Sequence, residues 1–293
     1  MKLTIAYLYP TVMSQYGDRG NVLTLVRRCR RRGIEAEVVE LDLGDAVEAD
    51  RIDILLMGGG ADSHQRLICE DLIAVKGPGI REAVNQGAAG LAVCAGYQLL
   101  GHYYRTADGS ELPGLGIFDA HTVHRAAQVG ARLDTITEAG SVRAVGDLVV
   151  QWGEHTLVGF ENHGGRTYLH EGAQPLGRVI LGGGNNSEDG LEGCVRGNLI
   201  GTYLHGPALP KNPALADHLI AGALRRRYGE EALGRLADTD PAGSDDATER
   251  RASERALARA RERASARRDD LIPLGRRSLA ALAARAAPRG RRR

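Results

Sequence analysis

The chain has 293 residues, 43% of them apolar, and a net charge of +1. That is enough for one sizeable core or two modest ones, and the charge gives no footing for nucleic acid, nor do aromatics at 4% supply a stacking platform for single strands. No segment reaches the ~18 to 20 apolar residues of a membrane span and the first residues lack a secretory pattern, so a cytoplasmic protein with no membrane segment of its own is expected.

The first hundred residues alternate strand and helix signals. "LTIAYLY" (Leu3 to Tyr9) reads as a strand. The next segment, "GDRGNVLTLVRRCRRRG", places Val22, Leu25, Val26 and Cys29 at helical spacing and ends at Gly33, a plausible C-cap. "EAEVVEL" and "IDILLMGGG" read as strands, "GIREAVNQG" as a helix and "AAGLAVC" as a fourth strand. Short apolar strands separated by amphipathic helices predict an α/β fold with a mainly parallel sheet flanked by helices. From about Gly114 the segments "LGIFDAHTVHR", "SVRAVGDLVVQW", "TLVGFENHGGRTYL" and "GRVILGGGNN" predict an antiparallel extension. "NLIGTYLHGPAL" supplies one more strand and "PALADHLIAGALRRRYG" a final helix. The compact unit is expected to span residues 1–237. Residues 238–293, rich in Arg and Ala with almost no large apolar side chains, read as a linker and a helical or disordered tail that cannot build its own core. Such a tail is either solvated or a docking segment for a partner.

Four cysteines, Cys29, Cys69, Cys94 and Cys194, give neither a disulfide framework nor a CxxC zinc pair. The 35 Arg against 3 Lys are read as coding bias. His121 and His124 stand three apart in a predicted strand and so face opposite ways; no metal site is expected.

Cys94 ends an apolar strand and is followed by small residues and a helical segment, "GLAVCAGYQLLG". Such a strand–turn–helix raises a nucleophile above the sheet and aims a helix N-terminus at it. Taken alone, a cysteine in such a run is more often core. Two further features shift the balance: Gly58-Gly59-Gly60 after a buried strand, where amides can face a developing oxyanion, and His205 just past another apolar strand.

With these motifs the sequence resembles the class I glutamine amidotransferases, in their cobyric-acid-synthase-like (CobB/CobQ) branch, and within it the GatD group, the glutaminase subunits of lipid II isoglutaminyl synthase. The resemblance runs from "YGDRGN" through "GGGAD", "GLAVCAGYQLLG", "DGSELPGLGIFD", "GFENHGGRTY" and "GGGNNSEDG" to "GTYLHGPALPKN", roughly Lys2 to Leu224. It implies that Cys94 attacks the glutamine side-chain amide, that His205 acts as base and then acid, and that the Gly60 and Ala95 amides hold the oxyanion. Gln98 matches a glutamine-holding position. Arg143 matches the substrate-binding arginine, suited to a free α-carboxylate, although an apparent insertion at "VGARLDTITEAGS" leaves Arg125 and Arg132 as alternatives. The place where many relatives carry a triad acid is Pro207, so the resemblance implies an acid from the partner, with Glu161 and Asp189 as internal candidates. Residues 162–166 read as a loop that lines the glutamine pocket or an ammonia exit, or simply turns the chain.

No Walker loop is present, so ATP and Mg are expected on a partner, for this group a MurT-like Mur ligase, with no cofactor in this chain. The partner would bind lipid II and amidate its D-glutamate α-carboxylate at the inner face of the membrane. Alternatives are a cobyrinate-type amidotransferase subunit, a Cys-dependent hydrolase of another class on the same fold, and a non-catalytic subunit.

Overall fold

Residues 1–14, 17–129 and 143–237 are described in the computed structural model, with a few helical positions between 251 and 262. Lys2–Leu8 (β1) is buried after its first residue, as a strand covered on both faces must be. Arg19–Arg31 (α1) turns Val22, Leu25 and Cys29 inward and carries Arg28, Arg30 and Arg31 in its last turn, where cations oppose the helix dipole. Gly33, with φ +65°, then turns the chain into Glu35–Leu41 (β2). Ile54–Met57 (β3), Asp62–Asp71 (α2), Gly77–Asn85 (α3), Ala89–Val93 (β4) and Ala95–Leu100 (α4) complete the first half, a π-helical stretch at Leu72–Lys76 joining α2 to α3.

Two smaller sheets follow. Tyr103–Arg105 (β5), Glu111–Pro113 (β6), Ala120–His124 (β7) and, after the short helix Arg125–Val129 (α5), Ala144–Trp152 (β8), His155–His163 (β9), Gly165–Leu169 (β10), Gly177–Leu181 (β11) and Leu191–Glu192 (β12) form them in the orders β10-β7-β5-β6 and β12-β11-β8-β9. Cys194–Arg196 (β13) and Leu199–Thr202 (β14) return to the first sheet; Pro213–Tyr228 (α7) packs on β3 and β4 of it, and Ala208–Lys211 (α6) packs against α1, α7 and β9.

The main sheet has the order β13-β14-β4-β3-β1-β2, with only β13–β14 antiparallel. Met57 pairs with Ala92 and Thr202 with Val93. The carboxyl ends of β3, β4 and β14 therefore lie side by side, and functional groups in such sheets gather on that rim. The predicted mainly parallel sheet with an antiparallel extension is what forms.

One expectation needs correction, and one helix goes beyond those expected. Helix α2 was not anticipated, because "DSHQRLICED" has few apolar residues and one of them, Leu67, is exposed. Residues 162–166 are not a loop: only Gly164 separates β9 from β10. The linker and tail fall mostly outside the described residues, as does Arg132; of the tail positions described, Leu257 packs beside Val149 and Val158 on the sheet of β8 and β9. Among the described residues no helix is long and apolar enough to cross a membrane.

Candidate active site

Cys94 occupies the bend between β4 and α4 with φ +52° and ψ −106°. A side chain other than glycine in that region stores of order 1–3 kcal/mol of strain, tolerated where the surroundings over-determine it. Three backbone bonds do so: Cys94 N donates to Thr202 O at 2.8 Å, Gln98 N to Cys94 O at 2.9 Å, and Gly96 N to Gly58 O at 3.2 Å. The last contact needs glycine, since a Cβ on Gly96 would lie 2.8 Å from Met57 O and 3.0 Å from Gly58 O.

The glycine triplet is fixed from behind. Gly59 N donates to the buried Asp18 carboxylate at 2.8 Å, and a Cβ on Gly58 would stand 2.2 Å from Met13 O. Asp18 is held up at a pKa of about 6 by burial, against the stabilising Gly59 N–H. Gly60 is the member of the triplet that lines a cavity of about 230 Å³. Cys94, Gln98, Arg143 and Asp62 line the same cavity, a size nearer to an amino acid than to the ~300–1,000 Å³ sites of drug-sized ligands.

Burial pushes the Cys94 thiol up to about 12, with nearby Asp18 acting the same way; the Arg143 cation and the Ala95 N–H pull in the opposite direction. His205 follows β14 and is buried, its backbone paired in both directions with Phe160 at 2.8 and 3.2 Å. Burial, then the neighbouring His163 and Arg143, lower its pKa to about 3. The resting pair is therefore a neutral thiol and a neutral imidazole near pH 7. His205 lies just past β14, the strand that pairs with β4, whose end leads into Cys94; it is not among the residues that line the cavity.

Gln98 is committed on both ends of its amide, accepting from Gln65 Nε2 at 3.0 Å and donating to Tyr203 OH at 3.1 Å. Arg143 immediately precedes β8 and donates through Nε and Nη2 to Asn162 Oδ1 at 3.0 and 2.9 Å. Arg125 instead pairs with Glu188 at 3.2 Å. Glu161 receives the Gly183 and Gly184 amides at 2.7 and 3.0 Å, with Oε2 3.7 Å from His163 Nε2. Asp189 receives Asn186 Nδ2 at 2.6 Å and Leu191 N at 2.8 Å. Asn162, His163, Gly164 and Gly165 line the cavity, whereas Arg166 bonds back to Gly165 O at 3.2 Å. His121 and His124 do face opposite ways: His124 lines the cavity and His121 contacts His170.

Sequence reasoning passed over Asp62, Asp18 and Glu192. Asp62 opens α2, receives Tyr104 OH at 3.0 Å and puts a carboxyl group on the cavity wall opposite in charge to Arg143. Its signal was the acid directly after "GGGA". Glu192 is fully buried and gave no local signal.

Residues 4–213 match the CobB/CobQ-like glutamine amidotransferase domain. The chain is 42% identical over 227 residues to the lipid II isoglutaminyl synthase (glutamine-hydrolyzing) subunit GatD of Staphylococcus aureus, covering 77% of this chain and 86% of that one. It is 37% identical over 232 residues to the subunit of the same name from Streptococcus pneumoniae, covering 78% and 84%. A cobyric acid synthase of Pelotomaculum thermopropionicum is 38% identical over 157 residues, 51% of this chain but only 28% of that protein.

Proposed function

Because the chain belongs to the CobB/CobQ-like glutamine amidotransferase family, we propose that it is the glutaminase subunit of a lipid II isoglutaminyl synthase. Cys94 on its strained bend, opening into an amino-acid-sized cavity, carries the reading. Coverage of 86% of the Staphylococcus aureus subunit against 28% of the cobyric acid synthase favours the peptidoglycan reading over the cobyrinate one.

Glutamine enters with its α-carboxylate on Arg143 and its α-ammonium toward Asp62, so a zwitterion meets one charge of each sign. The Cys94 sulfur attacks the side-chain amide carbon while His205 takes the thiol proton. The oxyanion is received by the Ala95 and Gly60 amides. Collapse breaks the C–N bond, His205 returns the proton to nitrogen, and ammonia leaves a glutamyl thioester. Water, deprotonated by His205, then releases glutamate and restores the thiol. With sulfur and imidazole both neutral at rest, the thiol proton moves to His205 as the sulfur attacks, and no thiolate is held beforehand. Glu161 and Asp189 are already engaged elsewhere, which supports a partner-supplied acid to orient His205.

The partner in this reading is a MurT-like ligase that holds ATP and Mg and activates the D-glutamate α-carboxylate of lipid II. The ammonia converts it to D-isoglutamine at the inner face of the membrane. The test is lipid II amidation by the co-purified complex. Wild type is expected to use either glutamine or ammonium, and the Cys94→Ala complex ammonium alone. Glutamine-dependent amidation that survives the substitution rejects the proposed nucleophile, and a complex that uses neither nitrogen source on lipid II rejects the acceptor.

A further inference from the structure

His102, Asp119 and His170 are distant in sequence and adjacent in space. His102 precedes β5, Asp119 precedes β7 and His170 follows β10, three neighbouring strands of one sheet. Backbone bonds fix these strand ends: His102 N donates to Ala120 O at 2.8 Å and His170 N to Asp119 O at 2.9 Å. The side chains converge on a single oxygen, with His102 Nε2 at 2.8 Å and His170 Nδ1 at 2.9 Å from Asp119 Oδ1. The two imidazoles stack with centroids 5.1 Å apart and planes 12° from parallel. Behind them, His121 Nδ1 lies 2.9 Å from His170 Nε2.

From this geometry we propose that His102 Nε2, Asp119 Oδ1 and His170 Nδ1 bind one divalent transition-metal ion of the zinc class, with His121 as the outer partner of His170. Imidazole and carboxylate donors select late first-row ions over Mg or Ca. All three ligand atoms lie within 4.8 Å of one another. Metal–ligand bonds of about 2.0–2.2 Å in a tetrahedron require donor separations of about 3.3 Å. The contacts must therefore open by about half an ångström, a small rotamer adjustment for side chains that are 40–54% exposed. Water fills the remaining position.

The outer contact matches what a ligating histidine needs. A metal-bound imidazole donates its other N–H, which fixes its tautomer and orientation, and His121 Nδ1 stands where the proton of His170 Nε2 would go. Arg105, the nearby cation that acts on His121, is paired with Glu111 at 3.2 Å. The ion has a structural role in this arrangement. It ties together strand ends whose opposite ends, His124 on β7 and Gly165 on β10, line the cavity.

The test uses the full chain, stripped of metal and titrated with Zn²⁺ by calorimetry and with Co²⁺ by absorption. One equivalent is expected, with cobalt d–d bands and no thiolate charge-transfer band. His102→Ala and Asp119→Ala are expected to abolish binding, and His121→Phe, which keeps a stacked ring, to weaken it about tenfold. Should either alanine variant fail to fold, His102→Gln and Asp119→Asn replace them with the same expected loss. Absence of binding, a thiolate band, or affinity unchanged in both ligand variants overturns the site and leaves a cluster held by hydrogen bonds alone.

Discussion

Glu192 Oε1 receives Thr202 Oγ1 at 2.6 Å and Tyr203 N at 2.7 Å, so a fully buried carboxyl group holds the end of β14 just before His205. Burial, opposed by those two hydrogen bonds, raises its pKa to about 7. A carboxyl raised above its unfolded value favours the protonated fold. Its contribution is complete below the ordinary carboxylate range and is lost as pH rises through about 7. Glu192→Gln keeps the acceptor and removes the charge. Chemical denaturation is expected to show the variant level with wild type near pH 4 and progressively more stable above it, by up to about 1.4 kcal/mol per pH unit until about pH 7. A stability difference that ignores pH would contradict this.

His205 titrates in the other sense. Its pKa, lowered to about 3 by burial and by His163 and Arg143, means the fold accepts the neutral ring. That stability is present above the ordinary histidine range near 6.5 and is lost as pH falls toward 3. His205→Gln is expected to flatten the acid limb of the stability curve by up to about 1.4 kcal/mol per pH unit. His163 and His124, whose pKa values burial also lowers, remain in both proteins, so the difference isolates position 205. Identical acid limbs would place His205 outside the buried environment described.

The bend at Cys94 predicts an inverted glycine effect. At φ +52° alanine keeps the strain of cysteine while glycine relieves it. Cys94→Gly is therefore expected to be more stable than Cys94→Ala by about 1–2 kcal/mol, although both are inactive on glutamine. Thermal melts of the two variants decide it, and a more stable alanine variant would contradict the strained bend.

Asp18 sets the glycine triplet through Gly59. Asp18→Asn retains an acceptor for that amide, whereas Asp18→Ala leaves it buried without one, a loss of about 1–3 kcal/mol. Glutamine hydrolysis is expected to fall roughly 5- to 150-fold in kcat/KM for the alanine variant, if that energy appears at the oxyanion amides, and much less for asparagine. Equal losses would mean that charge rather than loop position matters.

Arg143 and Asp62 face one cavity with opposite charges. Arg143→Lys retains the charge but loses the two-pronged contact, so KM for glutamine is expected to rise by about tenfold or more with kcat nearly unchanged. Asp62→Asn is expected to raise KM as well. A fall in kcat alone, with KM fixed, would move both residues from substrate binding to the chemical step.

The alternation of short apolar strands with amphipathic helices made the parallel sheet readable, because strands buried on both faces must be apolar throughout. Cys94, Gly60, Gln98 and Arg143 were readable from local motifs and do meet at one cavity. What escaped depends on packing. Asp18 and Gly59 are 41 residues apart, Glu192 is buried by its neighbours and by no pattern of its own, and α2 carries too few apolar residues to announce a period. His102, Asp119 and His170 meet only because β5, β7 and β10 pair in one register. His205 was readable as a strand-end residue, while its near-complete burial was not.

The central claim is that glutamine acylates Cys94. Rapid acid quench of the partner complex turning over glutamine, followed by peptide mass spectrometry, measures it directly. A glutamyl adduct is expected on the peptide containing Cys94, appearing before steady state and lost on mild alkaline treatment, as a thioester requires. Turnover of glutamine with Cys94 unmodified at every quench time, and undiminished in Cys94→Ala, would contradict the account.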